Sequence, residues 1–159
     1  MIEKLLPTLV FVAALGSGVV AGVFFAFSSF VMPGLARMTP AAGIAAMNSI
    51  NVTAVTPLFM TALFGTALVC LIVVIGAAMN WAQPGAALLL AGGLLYLLGN
   101  IAVTIGFNVP LNDALAAVDP ASAEGSTLWT RYLADWVFWN HVRTVTGIAA
   151  FASFWFATR

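Results

Sequence analysis

Residues 86–107 read AALLLAGGLLYLLGNIAVTIGF. No charge interrupts this run, and about 20 mostly apolar residues are what a helix needs to cross the hydrocarbon of a bilayer. The stretches 5–31, 57–78 and 137–156 read the same way. The sequence therefore predicts an all-α fold. It is an integral membrane four-helix bundle forming a single domain over residues 1–159, with short amphipathic helices in its two longer loops. Composition agrees: 63% of the 159 residues are hydrophobic and 6% are charged, against about 25% charged in a soluble domain. The mean hydropathy is +1.10. Five Lys+Arg and five Asp+Glu give zero net charge, which leaves no basic face for nucleic acid. A lone cysteine, Cys70, excludes an internal disulfide and a CxxC redox pair, and a lone histidine, His141, excludes a multi-histidine metal site on one chain.

The apolar run of the first span exceeds the about 7–15 residues of a cleaved signal peptide, so it reads as a retained span. Four spans place both termini on one side, here side A, together with the short turn 80–85. Side B holds the longer loops, 32–56 and 108–136. Lys4, Arg159 and the amino terminus lie on side A, against Arg37 and Arg131 on side B with Arg143 just inside the span. By the positive-inside rule this describes a multi-pass protein of the cell membrane with cytoplasmic termini.

Each side-B loop begins with a proline, Pro33 or Pro110, expected to stop the preceding span. Each then restarts a helix with a capping residue before proline, at Thr39-Pro40 or Asp119-Pro120. This grammar hints at two related helix–loop–helix halves. A helix from Pro120 to Phe156 would be roughly 55 Å long at about 1.5 Å per residue, about 25 Å more than the hydrocarbon is thick. Its first half, with Glu124, Arg131 and Asp135, must then stand outside lipid. Along the first span Ala14, Gly18, Gly22 and Ala26 recur every four residues. Small residues allow close backbone approach in lipid. They serve either packing within the chain or a homodimer through the Gly18/Gly22 face.

The polar residues of the spans gather towards side B. Tyr96, Asn100, Thr104 and Asn108 recur every four residues along one slowly drifting face of span three. Trp136, Asn140, Arg143 and Gly147 share one face of span four. Polar groups in hydrocarbon are costly unless they meet each other or a cavity. Arg143 sits about six residues inside its span, roughly 9 Å below its start. It either snorkels to the interface or turns inward to Asn140 and the span-three asparagines. Turned inward, it would seek Asp113, Asp135, a carbonyl or an anionic ligand. The segment Asn108-Val109-Pro110-Leu111-Asn112-Asp113 reads as a turn with a cap, or as the mouth of a pocket. Trp129, Tyr132, Trp136 and Trp139 read as an interfacial belt, with Trp136 also placed to stack on a ligand. His141 lies about 100° round the helix from Asn140. It is a structural residue, an acid–base catalyst or, as a further alternative, a haem ligand.

Gly22-Val23-Phe24-Phe25-Ala26-Phe27-Ser28 with Met32-Pro33, then Asn108-Val109-Pro110-Leu111-Asn112, then Trp136-x-x-Trp139-Asn140-x-x-Arg143 carry a resemblance over nearly the whole chain. The chain resembles a family of small four-helix membrane proteins described both as a domain of unknown function and as anthrone-oxygenase-like. Some fungal members are assigned the oxidation of anthrones to anthraquinones. The resemblance implies a monooxygenase acting on a flat aromatic or phenolic molecule, with no cofactor. An anthrone is acidic opposite its carbonyl, and its enolate can react directly with oxygen. Donors would stabilise the enolate oxygen and a base would take the proton. Arg143, Asn140 and His141 are then the catalytic candidates, with Asp135 as another base. Trp136, Asn100, Thr104, Asn108 and Asn112 are the ligand-binding ones. Membrane lipids and a hydrophobic aromatic small molecule are the expected partners. A second reading is a non-catalytic membrane module that binds a lipid, a quinone-like ligand or a partner protein. A transporter ranks last, because no acidic residue lies inside any span.

Overall fold

Proline and small polar caps set where the helices begin. The structure, a computed structural model, describes the backbone of residues 2–159 and the side chains of residues 5–159. The topology reading placed on Lys4 lies outside the described side chains. Five helices follow one another: α1, whose membrane-length part is Leu5–Leu35, then α2 (Pro40–Ala54), α3 (Pro57–Met79), α4 (Ala86–Ala117) and α5 (Ala123–Ala157). Pro40 and Pro57 occupy first helical positions behind extended Thr39 and Thr56. There the missing N–H costs nothing and φ is already set. Thr56 Oγ1 accepts from the Phe59 amide at 3.3 Å, and Ser122 Oγ accepts from the Gly125 amide at 2.9 Å. The last helix thus starts behind Ser122, not Asp119, whose carboxylate instead accepts from the Ala121 amide at 3.0 Å. Gly85, with φ of +80°, turns the chain into α4 where a Cβ would meet the Ala157 carbonyl oxygen at 2.7 Å.

Two expectations change. Pro33 and Pro110 do not stop their helices. Each follows a π-helical stretch, Phe27–Val31 in α1 and Thr104–Asn108 in α4, and helix continues to Leu35 and Ala117. A proline inside a helix removes one N–H and clashes with the preceding turn, and the π register just ahead of it (i→i+5) accommodates both. The side-B loops are therefore mostly helical: one is α2, and the other is the end of α4 and the start of α5. The second change concerns the count. Among the described residues three helices, α1, α3 and α4, are long and apolar enough to cross a membrane. The expected fourth span lies within the 35-residue α5, where Asn140, His141 and Arg143 interrupt the apolar run.

Helix α5 packs against α1 and α4, and α3 closes the other side against the same two helices. Two apolar cores result. One joins Val10, Ala13, Val20, Cys70, Val73, Leu89 and Phe154. The other gathers Met32, Ile44, Met47, Leu115, Trp129, Tyr132 and Trp136 under α2. The outer faces stay apolar, with Phe11, Leu58, Leu68, Phe138 and Ile148 exposed. A Cβ on Gly147 would lie 2.9 Å from that of Ala21, and one on Gly99 would collide with Thr146. Backbones thus approach closely on both sides of Arg143, as small residues permit in lipid. Gly18 faces Phe151 of the same chain, whereas Gly22 faces open space.

Candidate active site

Arg143 turns inward. Its side chain is 5% exposed. Nη1 donates to Thr104 Oγ1 at 3.2 Å and Nη2 donates to Asn140 Oδ1 at 2.7 Å, while Nε has no partner. The guanidinium carbon lies 4.1 Å from the Phe24 ring centroid and 5.1 Å from that of Trp136. Neither Asp113 nor Asp135 pairs with it. The one ion pair among the described residues joins Arg131 and Asp135 at 3.0 Å on the exposed surface of α5. A buried cation without a counter-charge carries a desolvation cost of several kcal/mol. Aromatic faces and neutral oxygens offset only part of it.

Asn140 holds the arginine to α1. Its Nδ2 donates to the Phe24 carbonyl and to Ser28 Oγ, both at 2.7 Å, and its Oδ1 accepts from Arg143. Phe24 and Ser28 flank the start of the π-helical stretch of α1, and the wider winding there opens a backbone carbonyl to a side chain. The same device recurs on α3, where the Leu63 carbonyl, within the π-helical stretch Thr61–Gly65, accepts from the Tyr96 hydroxyl at 3.0 Å.

Asn112 sets the aromatic wall. Its Oδ1 accepts from the Tyr132 hydroxyl at 2.7 Å and from Trp136 Nε1 at 2.8 Å. Asn108 Nδ2 donates to the Trp136 carbonyl at 3.2 Å. Trp129, Tyr132 and Trp136 stack in series, with centroids 5.6 and 5.8 Å apart. Burial pushes the Tyr132 phenol well above its ordinary range, so it stays a hydrogen-bond donor.

Between these walls lies a cavity of about 580 Å³. All five helices reach it: Phe24 and Phe27 from α1, Met47 and Asn51 from α2, Phe59 and Leu63 from α3, Thr104 and Asn112 from α4, Trp136 and Arg143 from α5. The lining is mostly apolar, and among the described residues it contains no carboxylate or imidazole. Ser49, Thr53, Val55 and Phe64 combine cavity lining with outward exposure, which puts the mouth beside the joint between α2 and α3.

The structure divides the expected residues. Arg143, Trp136, Thr104 and Asn112 line the cavity. Asn140 and Asn108 stand behind them, gripping Arg143 and Trp136. Asn100 is buried away from the lining, its Nδ2 donating to Thr146 Oγ1 at 3.4 Å. His141 is exposed and does not line the cavity. It is not placed to act there as a base or to hold a haem facing the cavity. Asp135 is likewise turned to Arg131. Sequence reasoning missed Phe24 and Met47, and it placed Asn51 among the side-B polar residues without selecting it for the site; all three close the cavity, from α1 and α2. Phe24 belongs to the quoted 22–28 motif, but nothing in its spacing marks it as a partner of Arg143.

The model of the anthrone oxygenase family matches residues 57–153, from the start of α3 to near the end of α5. The match takes in Thr104, Asn108, Asn112, Trp136, Asn140 and Arg143. It leaves out α1 and α2, so residues 22–33, which carried part of the resemblance, lie outside it. No curated protein and no solved structure matches the chain.

Proposed function

The chain belongs to the anthrone oxygenase family, and from that premise we propose that it is a membrane monooxygenase of flat aromatic or phenolic substrates. Helices α1, α3, α4 and α5 cross the membrane of the cell as a four-helix bundle, with both termini on the cytoplasmic side, and the substrate reaches the cavity from lipid. The observation that carries the reading is Arg143. A guanidinium buried beside an apolar, aromatic-walled cavity with no carboxylate at hand is complementary to a flat ligand that brings its own negative oxygen.

An anthrone supplies that oxygen on losing a proton from the carbon opposite its carbonyl. Arg143 stabilises the enolate, while Trp136 and Phe27 confine the rings. The electron-rich carbon then bonds to dioxygen, and a proton completes the hydroperoxide. Loss of the second C–H proton with cleavage of the O–O bond releases water and leaves a carbonyl. One dioxygen turns CH₂ into C=O and water, with no further reductant and no cofactor. With no carboxylate or imidazole in the lining, the first proton leaves to water at the mouth, and Arg143 favours that loss by stabilising the anion.

The test is oxygenation of an anthrone by the purified protein under air, followed by quinone absorbance. Turnover above that of Arg143→Met and of empty micelles is the expected result, and a rate equal to both would overturn the reading. The lack of a base in the lining favours a second reading, a non-catalytic module that binds a quinone-like ligand. That reading predicts saturable binding of anthrone and anthraquinone without turnover.

A further inference from the structure

Buried polar atoms without partners are rare in folded chains, and each asks for a reason. Six occur among the described residues: Ser17 Oγ, Asn48 Oδ1, Asn51 Nδ2, Asn100 Oδ1, Asn108 Oδ1 and Arg143 Nε. Only two of these residues line the large cavity, Asn51 and Arg143. They reach it from different helices, α2 and α5. Most other polar groups of the lining are already engaged, Asn112 Nδ2 excepted. Asn112 Oδ1 accepts two hydrogen bonds, Trp136 Nε1 donates one of them, and Thr104 Oγ1 accepts from Arg143. Ser49 and Thr53 are exposed at the mouth. Asn51 is thus the one amide of the cavity wall that carries no hydrogen bond at either end, since Asn112 is held by its Oδ1.

We propose that Asn51 is a specificity-determining residue. It reads a second oxygen substituent of the aromatic ligand, a ring hydroxyl lateral to the oxygen that Arg143 holds. The inference rests on the functional reading above. An amide suits this task because rotation of its end presents either the carbonyl oxygen or the NH₂ group to the cavity. It therefore accepts from a phenol or donates to a phenolate. The surrounding wall of Met47, Ile50, Phe59 and Leu63 offers such a hydroxyl no other buried partner. A ligand with one oxygen leaves Asn51 unsatisfied, and a ligand with two satisfies both ends of the cavity. Discrimination of this kind is large because an apolar site cannot compensate a missing hydrogen bond.

The test is an anaerobic titration, read by quenching of tryptophan fluorescence, which separates binding from oxygenation. The probes are anthrone, 2-hydroxyanthrone and 3-hydroxyanthrone, and the proteins are the wild type, Asn51→Leu and Asn51→Ser, all in the same micelles. The wild type is expected to bind at least one hydroxylated isomer about 5-fold or more tightly than anthrone. Asn51→Leu should erase that preference, read as the ratio of the hydroxylated to the plain anthrone affinity within the variant. Asn51→Ser, with its smaller change of volume, gives the same comparison should the leucine variant not fold. A wild type without preference, or variants that retain it, overturns the role of Asn51 alone. A wild type that binds none of the three overturns the functional reading and this inference with it.

Discussion

The two halves of this bundle are built differently. Towards the termini, α1, α3 and α4 are regular α-helix around Val10, Ala13, Cys70, Val73 and Leu89, with Phe154 of α5 among them. This core is apolar, with the Ser17 hydroxyl alone unpartnered there among the described residues, and a smaller pocket of about 430 Å³ opens at its outer end beside Leu6, Ala77, Asn80 and Leu89. Towards the other end the same three helices each pass through π-helical turns, at Phe27–Val31, Thr61–Gly65, and Leu97–Ala102 with Thr104–Asn108. There carbonyls accept from side chains, polar residues face inward and a cavity remains. Irregular winding is found mostly where it serves a site. The regular half holds the molecule together, and the irregular half is where chemistry is affordable.

Substitutions in each half should separate stability from activity. The largest stability effect belongs to Phe154→Ala, which opens a cavity in the regular half and should cost about 3–5 kcal/mol. Unfolding in mixed micelles should shift accordingly, while kcat of the surviving folded fraction stays within about 2-fold of wild type. Arg143→Met should show the converse. Loss of a preorganised donor for a developing oxyanion lowers kcat by about 10²–10³-fold. Stability should hold or rise, since an apolar side chain replaces an uncompensated buried charge. If Arg143→Met unfolded the protein instead, the arginine would belong to the scaffold and the contrast would collapse.

Asn140→Leu tests the seam between the halves. It removes the donor to the Phe24 carbonyl and Ser28 and the acceptor for Arg143 at once. A loss of about 1–3 kcal/mol in stability should accompany a fall of about 10-fold or more in kcat. The smallest effect is expected one residue away: His141→Ala should leave turnover and unfolding within about 2-fold of wild type, in keeping with an exposed imidazole. A turnover loss as large as that of Asn140→Leu would show that the histidine acts from the outer face.

Much of this was legible in the chain. Arg143, Asn140 and Trp136 stand out because a polar residue in an apolar run has few places to go, and all three face inward. Thr104 followed from the periodicity of span three, and Asn112 from the segment 108–113 in its reading as the mouth of a pocket. For His141 the sequence left the direction open. A single step of about 100° decides between cavity and exterior, and the rotation of a helix about its axis is set by packing. The prolines misled because a breaker in an α-helix is tolerable once the winding before it changes, and no residue type announces a π turn. Helix α2 was expected behind Thr39-Pro40, but nothing in the spacing of Ile44, Met47 and Asn51 announced that it folds over the bundle and closes the cavity. The Asn140, His141 and Arg143 cluster that marks the site is also what keeps α5 less apolar than its three neighbours.

The π-helical turns of α4 also act as a vernier. Tyr96, Asn100, Thr104 and Asn108 are spaced by fours, and in an unbroken α-helix each step of four overshoots a full turn by about 40°. Over three steps the last residue would stand about 120° from the first, facing the exterior. The slower winding of Leu97–Ala102 and Thr104–Asn108 absorbs that overshoot, and Tyr96, Asn100 and Asn108 all end buried. Helical phase is thus a coordinate the chain can tune. Deleting a single residue between 97 and 102 would swing everything downstream by about 100° and turn Thr104 and Asn112 out of the cavity without altering any side chain of the site.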